Sequence, residues 1–580
     1  MGQMALTATV YIMFAFSTCS TKECGLQITE NMKDRSVMFR NIDMGSCKLD
    51  CSEDCFIFAS CFKSIEESEK IEKKGGSHVR SDNHTDVPTK PCGSKVCNLT
   101  SRCVEDGCGN VCVKAPSFCD LHSATRTRDL SRVKLILSQG RADINCKEWI
   151  GRTPVMLAAG KGHRELVELL VRKGANVSLV DRFDNNILHS ACLGGHVEVV
   201  KYVLSQDMVN INGRVWCGRT PVMLAAENGH RVVVELLVNE GADVTLLDKK
   251  GDNLLHLACQ GGNVEVVKFV LSLGMLSINS RGLKKMTPVM TAADKGHKEV
   301  VELLVSKGAD VSLLDKGHDT LLHLACRGGN VEVVKFVLSL GMLSINSRGW
   351  KKMTPVMTAA DKGHKEVVEL LVSKGADVSL LDKGHGTLLH LACRGGNVEV
   401  VKLVLSLDMV SINSRGWQEM TPVMTAADKG HKEVVELLVS KGADVSLLDK
   451  GHDTLLHLAC RGGNVEVVKF VLSLDMVSIN SRGWQEMTPV MLAADKGHKE
   501  VVELLVSKGA DVSLLNKGHD TLLHLACRGG NVEVVKLVLS LDMVDINARN
   551  SKSQTAANIA TSRGRWDIID LLVSHSGQMY

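Results

Sequence analysis

Every 67 residues, from Thr153 through Thr220, Thr287, Thr354, Thr421 and Thr488 to Thr555, this chain restarts one pattern. Residues 287–353 read TPVMTAADKGHKEVVELLVSKGADVSLLDKGHD and then TLLHLACRGGNVEVVKFVLSLGMLSINSRGWKKM, and the next 67 residues differ at only six positions. Each unit divides into halves of 33 and 34 residues with a shared pattern. A period in this range marks stacked supersecondary units, each too small to bury its apolar face alone. The stacking therefore sets the fold before any local detail does.

Within the 33-residue half, Thr287-Pro288 opens a helix, with threonine as the cap and proline at the first helical position. Ala292 and Ala293 permit close helix approach, and Gly296 ends the helix. A second helix follows with Val300, Val301, Leu303, Leu304 and Val305 as its apolar face. Gly308 stops it, and 311–319 reads as an extended turn. With 44% hydrophobic but only 3% aromatic residues, the core must be aliphatic.

TPVMTA, GHKEVVELL and KGAD in one half, and TLLHLA, GGNVEVVK and VLSL in the other, resemble the ankyrin repeat. The resemblance implies an all-α repeat solenoid of helix-turn-helix units with projecting finger turns. Threonine and histidine register gives 14 units, thirteen over 119–554 and a shortened, polar capping unit over 555–580. The halves depart from the family pattern in complementary ways. One keeps proline but has Met156, Met223, Met290, Met357, Met424 and Met491 where the family has histidine. The other keeps His189, His256, His323, His390, His457 and His524 but lacks proline.

His323 and Cys326 lie three apart, on one helix face, and the pair recurs at Cys192, Cys259, Cys393, Cys460 and Cys527. Two ligands do not close a metal site, and the resemblance implies a turn-holding histidine beside a core cysteine. The sequence contains no nucleophile elbow, phosphate-cradling loop or HExxH. Neither catalytic residues nor cofactors are expected.

Trp149, Trp216, Trp350, Trp417 and Trp484 share one place, four residues before the next threonine, with Leu283 there in the remaining unit. The resemblance places them on finger turns beside a concave face. Arg281, Arg348, Arg415 and Arg482 stand two residues earlier. Such an Arg/Trp ladder has the composition of an interface hot spot. Two readings stand: the ladder contacts a partner, or each tryptophan packs on its neighbour and duplication copied it. Lys284-Lys285 and Lys351-Lys352 give way to Gln418-Glu419 and Gln485-Glu486, so the ends of the ladder should prefer different charges.

The N-terminal part differs in chemistry, with 12 of the 20 cysteines in the first 119 residues. Residues 1–20 hold an apolar run at 5–16 followed by small residues, as in a secretory signal, although no positive charge precedes the run. That run is too short to span a bilayer. In 21–63, Cys24, Cys47, Cys51, Cys55 and Cys61 lack zinc-ligand spacing and read as disulfide partners; their clustering resembles apple/PAN-type modules. Residues 64–91 read as a linker. In 92–118, the spacing of Cys92, Cys97 and Cys103 resembles the opening of an EGF-like module, but Cys108 and Cys112 depart from its close, so a generic disulfide knot is the alternative. Asn83 and Asn98 begin glycosylation sequons.

The net charge of +3 gives no electrostatic reason for nucleic acid or an anionic membrane surface. The expected protein is a monomeric, non-enzymatic scaffold that binds proteins. It is either secreted or at the cell surface, or else an intracellular adaptor.

Overall fold

In a computed structural model, the described residues run from 120 to 576, apart from positions 141, 208, 408–409, 475–476 and 542–543, with six short strands ahead of them. The strands form three antiparallel hairpins: Gln27–Asn31 with Ser36–Arg40, Thr89–Cys92 with Lys95–Asn98, and Ser101–Asp106 with Gly109–Lys114. A reading based on cysteines alone passes over these strands. Val104, Val111 and Val113 favour them, and the backbone register sets Cys103 opposite Cys112. Residues 1–20, Cys24, Cys47, Cys51, Cys55, Cys61, Asn83 and Cys108 lie outside the described residues.

The chain divides into two compact units, Met1–Pro288 and Val289–Tyr580. The first contains five helix pairs, from Asp120–Arg126 with Leu130–Ser138 to Leu254–Gly261 with Val264–Ser272. The second begins one residue into Pro288–Asp294 and carries nine, ending with Ala556–Ser562 and Trp566–Ser576. Among the described residues this makes fourteen helix pairs.

One repeat shows how the residues dictate this. Thr354 takes the extended cap conformation, its hydroxyl accepts the Met357 N–H, and Pro355 occupies the first helical position, where no N–H is needed. Pro355–Asp361 buries Val356, Met357, Ala359 and Ala360, and Lys365–Ser373 buries Val367, Val368 and Leu371. Full burial of each valine or leucine contributes about 1.5–3 kcal/mol.

The apolar face expected of Lys298–Ser306 narrows to Val300, Val301 and Leu304, with Leu303 and Val305 only half-buried. A nine-residue helix gives the core a single stripe, and the i, i+1, i+4 positions occupy it.

Candidate functional site

The repeat histidines are braces. His323 Nε2 donates to the Met353 carbonyl at 3.0 Å, while its Nδ1 faces the Thr320 N–H at 3.2 Å and hydroxyl at 2.9 Å. One ring therefore caps its own helix and ties down the next finger. Burial pulls the pKa of His256, His323, His390 and His457 down, and that of His189 to about 4. The neighbouring thiols of Cys192, Cys259, Cys326, Cys393 and Cys460 are fully buried and pushed up, and that of Cys527 rises to about 12. These protonated thiols are packing groups.

At Met156, Met223, Met424 and Met491, where methionine replaces histidine, the sulfur takes over half the task. Met424 Sδ receives the Thr421 N–H at 3.5 Å, and Met491 Sδ receives that of Thr488 at 3.4 Å. The inter-repeat bond is lost, and the buried hydroxyls of Thr153, Thr220 and Thr488 have no hydrogen-bond partner. The GH histidines brace the loops between helices. His364 Nε2 reaches the Arg327 carbonyl at 3.1 Å, and a Cβ on Gly329 would sit 2.4 Å from that ring. Only glycine fits there.

In the second unit the fingers alternate between a Lys-Gly-His turn and a tryptophan turn. Trp350 N donates to Asp319 Oδ1 at 2.8 Å, and a Cβ on Gly317 would lie 3.1 Å from Trp350 Cβ, so this tryptophan rests on the preceding finger. Trp484 repeats the arrangement over Gly451 and Asp453; under Trp417, Gly386 replaces the aspartate. Trp350, Trp417 and Trp484 stay 53%, 61% and 59% exposed. Lys351 Nζ sits 4.1 Å over the Trp350 ring.

The finger arginines face the other way along the stack. Arg348 Nη1 donates to the Leu381 carbonyl of the following finger, Arg415 to that of Leu448 at 2.7 Å and Arg482 to that of Leu515 at 3.0 Å. These arginines hold fingers in place while the tryptophans remain presented. Between them Leu381, Leu448 and Leu515 are also exposed, which adds an apolar position that the tryptophan pattern did not single out.

In the first unit, Trp149 is exposed and Trp216 half-buried, with Lys249 Nζ 5.9 Å above the Trp216 ring. Arg281 Nη1 donates to the Lys285 carbonyl of its own turn at 2.6 Å. The ladder therefore presents its indoles most uniformly at Trp350, Trp417 and Trp484.

Beside the fingers of the second unit runs a row of ion pairs joining successive first helices. Arg327 meets Asp294, Arg394 meets Asp361 and Arg461 meets Asp428 at 2.5 Å, and Arg528 meets Asp495 at 2.6 Å. Their partners lie 33 residues apart, beyond what helix-face spacing signals. Among the described residues, no group of three or more His, Cys, Asp or Glu is placed to hold a metal, and no helix is long and apolar enough to cross a membrane.

A family described as ankyrin repeats (3 copies) matches residues 121–215, 222–315, 289–382, 356–449, 446–516 and 491–579. Human transient receptor potential cation channel subfamily A member 1 is 27% identical over 445 residues, covering 68% of this chain and 39% of that protein. Ankyrin repeat and KH domain-containing protein mask-1 of Caenorhabditis elegans is 33% identical over 377 residues, covering 62% and 14%. The Arabidopsis thaliana E3 ubiquitin-protein ligase KEG is 25% identical over 421 residues, covering 69% and 24%. The chain thus spans well under half the length of these relatives. The family matches begin at residue 121, and the apple/PAN-like and EGF-like resemblances draw no support from them. The helix pairs, the threonine caps, the histidine braces and these matches agree: the chain belongs to the ankyrin-repeat family.

Proposed function

We propose that the chain is a non-enzymatic protein-interaction module that grips an extended segment of a partner along its fingers and the adjoining groove. The observation that carries this reading is the set of half-exposed indoles at Trp350, Trp417 and Trp484, interleaved with exposed leucines and held by arginine-to-carbonyl bonds. Tryptophan and arginine dominate interface energetics because they bury large areas at low entropic cost. The change from Lys351-Lys352 to Gln418-Glu419 suits a segment whose charge changes along its length.

The test compares affinity capture by the wild type with capture by the Trp350→Ala/Trp417→Ala/Trp484→Ala variant. Proteins retained by the wild type should be lost from the variant, while far-UV circular dichroism remains helical. An identical captured set would remove the ladder from the site.

Secretion is the preferred location, supported by the signal-like leader, the sequons and a disulfide at Cys146. The intracellular scaffold is favoured by Cys192, Cys217, Cys259, Cys326, Cys393, Cys460 and Cys527, none of which is in a disulfide. Cleavage near Ser20 with sugar at Asn83 or Asn98 would establish secretion. An intact Met1 with free thiols at Cys47 and Cys61 would establish the scaffold.

A further inference from the structure

In a chain built by duplication, residues that recur can be mere copies, so departures from the unit carry more information. Departures cluster at the last interface of the second unit. Asp449, Glu486 and Asp495 become Asn516, Ser553 and Ser562 one period later, and Gln485 becomes Lys552. Three carboxylates are lost and one cation is gained within a few turns of chain, while the change of Ser478 to Asp545 returns one carboxylate.

The changes leave the architecture intact. Asn516 Oδ1 receives the Gly518 and Asp520 N–H groups at 2.9 and 2.8 Å, as Asp449 Oδ1 receives those of Gly451 and Asp453 at 2.7 and 2.9 Å. The turn is preserved and its charge removed. Aspartate and glutamate supply surface polarity as well as serine does, so polarity alone does not explain the substitutions.

Asn516, Lys552 and Ser562 line one cavity of 450 Å³ between fingers and first helices, together with Lys517, Arg528 and Arg563. Its one carboxylate, Asp520, is already satisfied by Asn516 Nδ2 at 3.2 Å, Asn550 Nδ2 at 2.8 Å and Arg528 Nη1 at 3.7 Å. Arg528 is also held by Asp495. Lys517, Lys552 and Arg563 form no ion pair with any described residue, and all three are exposed.

We infer that this cavity binds an acidic peptide segment, rich in aspartate or glutamate, of the partner protein. The inference rests on the protein-binding reading above and adds to it a place and a charge. Like-signed cations with no internal partner lower the free energy of an incoming carboxylate. A single-stranded nucleic acid suits the cavity less well, because the lining has no aromatic side chain for bases to stack on, and Trp484 is replaced by Ser551 one period later.

The experiment measures fluorescence anisotropy of a fluorescein-labelled octaglutamate peptide with the full chain. The variant Lys552→Gln/Ser553→Glu/Ser562→Asp restores residues that the preceding unit already carries, so the fold should tolerate it, and circular dichroism checks that it does. Peptide binding should weaken about tenfold or more in this variant, given three charge changes at exposed sites. It should persist in the Trp350/Trp417/Trp484 triple-alanine variant. Absence of wild-type binding, unchanged binding by the restored variant, or equal competition by an oligonucleotide of matched charge would each overturn the inference. Loss of the peptide only in the tryptophan variant would also overturn it, while leaving the protein-binding reading standing.

Discussion

The two compact units neutralise the same carboxylate from opposite sides. In Met1–Pro288 the cation comes from the finger: Arg219, 3% exposed, pairs with Glu227 of the helix it precedes and lies 3.5 Å from Asp248 of the next finger. Gln260 completes the cluster with a 2.5 Å bond to Glu227. In Val289–Tyr580 the corresponding residues are Met353, Asp361, Asp382 and Arg394. The finger is now apolar, and the guanidinium reaches Asp361 from the following helix, with Nη2 3.8 Å from Met353 Sδ. Each arrangement brings one guanidinium to the helix carboxylate, Glu227 or Asp361, by a different route. The second solution also puts methionine in the dry position and leaves the cation partly in water, which avoids much of the desolvation cost.

The two arrangements differ most in what they lose at Arg219. Arg219→Met alone leaves Glu227 and the buried Asp248 without their cation and should cost about 3–5 kcal/mol. Adding Gln260→Arg installs the arrangement of the second unit and should recover most of that loss. Repeat arrays need not unfold in one step, so hydrogen exchange across 220–260 is the informative measurement, with denaturant titration beside it. A single variant as mild as the double would show that the two arrangements are not alternatives.

Acid should affect both units through the histidine braces. With a folded pKa below the ordinary 6.5, the unfolded chain binds a proton that the folded ring refuses. Stability is therefore complete above pH 6.5 and falls as the pH drops toward the folded value. For His189, pulled to about 4, the loss at pH 5 is about 2 kcal/mol. Asp252, Asp319 and Asp453 oppose the effect of burial at His256, His323 and His457, whereas His189 and His390 have Asn185 and Gly386 in that place. Hydrogen exchange at pH 5 should find protection lost first around those two histidines, one in each unit. Uniform loss across all five would remove the distinction.

Much of this was legible in the residues themselves. Thr-Pro at the helix start, glycine at its end and the 33/34 alternation locate fourteen helix pairs, because caps and breakers act locally. Long-range partners were not legible. The pairing of Arg394 with Asp361 joins different repeats, and nothing in the spacing of either residue advertises it. Methionine as a cap acceptor escapes rules written for oxygen and nitrogen. Leu304 rather than Leu303 faces the core because helix orientation, not hydrophobicity, chooses between adjacent leucines. The finger tryptophans lie on the turns, but the carbonyl partners of Arg348, Arg415 and Arg482 belong to the following finger, 33 residues on. The cavity lined by Asn516, Lys552 and Ser562 is visible in the sequence only as deviations from the repeat.

The smallest expected effect separates the finger turns. Trp149-Ile150-Gly151 and Trp216-Cys217-Gly218 place glycine at φ +85° and +79°. The later turns instead hold two side chains there: Lys284 and Lys285 at +53° and +59° at the end of the first unit, and in the second Lys351 and Lys352 at +53° and +57°, Gln418 and Glu419 at +53° and +59°, and Gln485 and Glu486 at +55° and +56°. The Met353 N–H closes on the Trp350 carbonyl at 3.0 Å, as in a two-residue hairpin turn that favours Asn-Gly. Side chains in this left-handed region carry strain, so Lys351→Asn/Lys352→Gly should stabilise the finger by about 1 kcal/mol, read from thermal melting. The same variant tests what the strain serves. If the lysines are kept for a partner, capture falls although stability rises; if duplication merely copied them, capture by the stabilised finger equals that of the wild type.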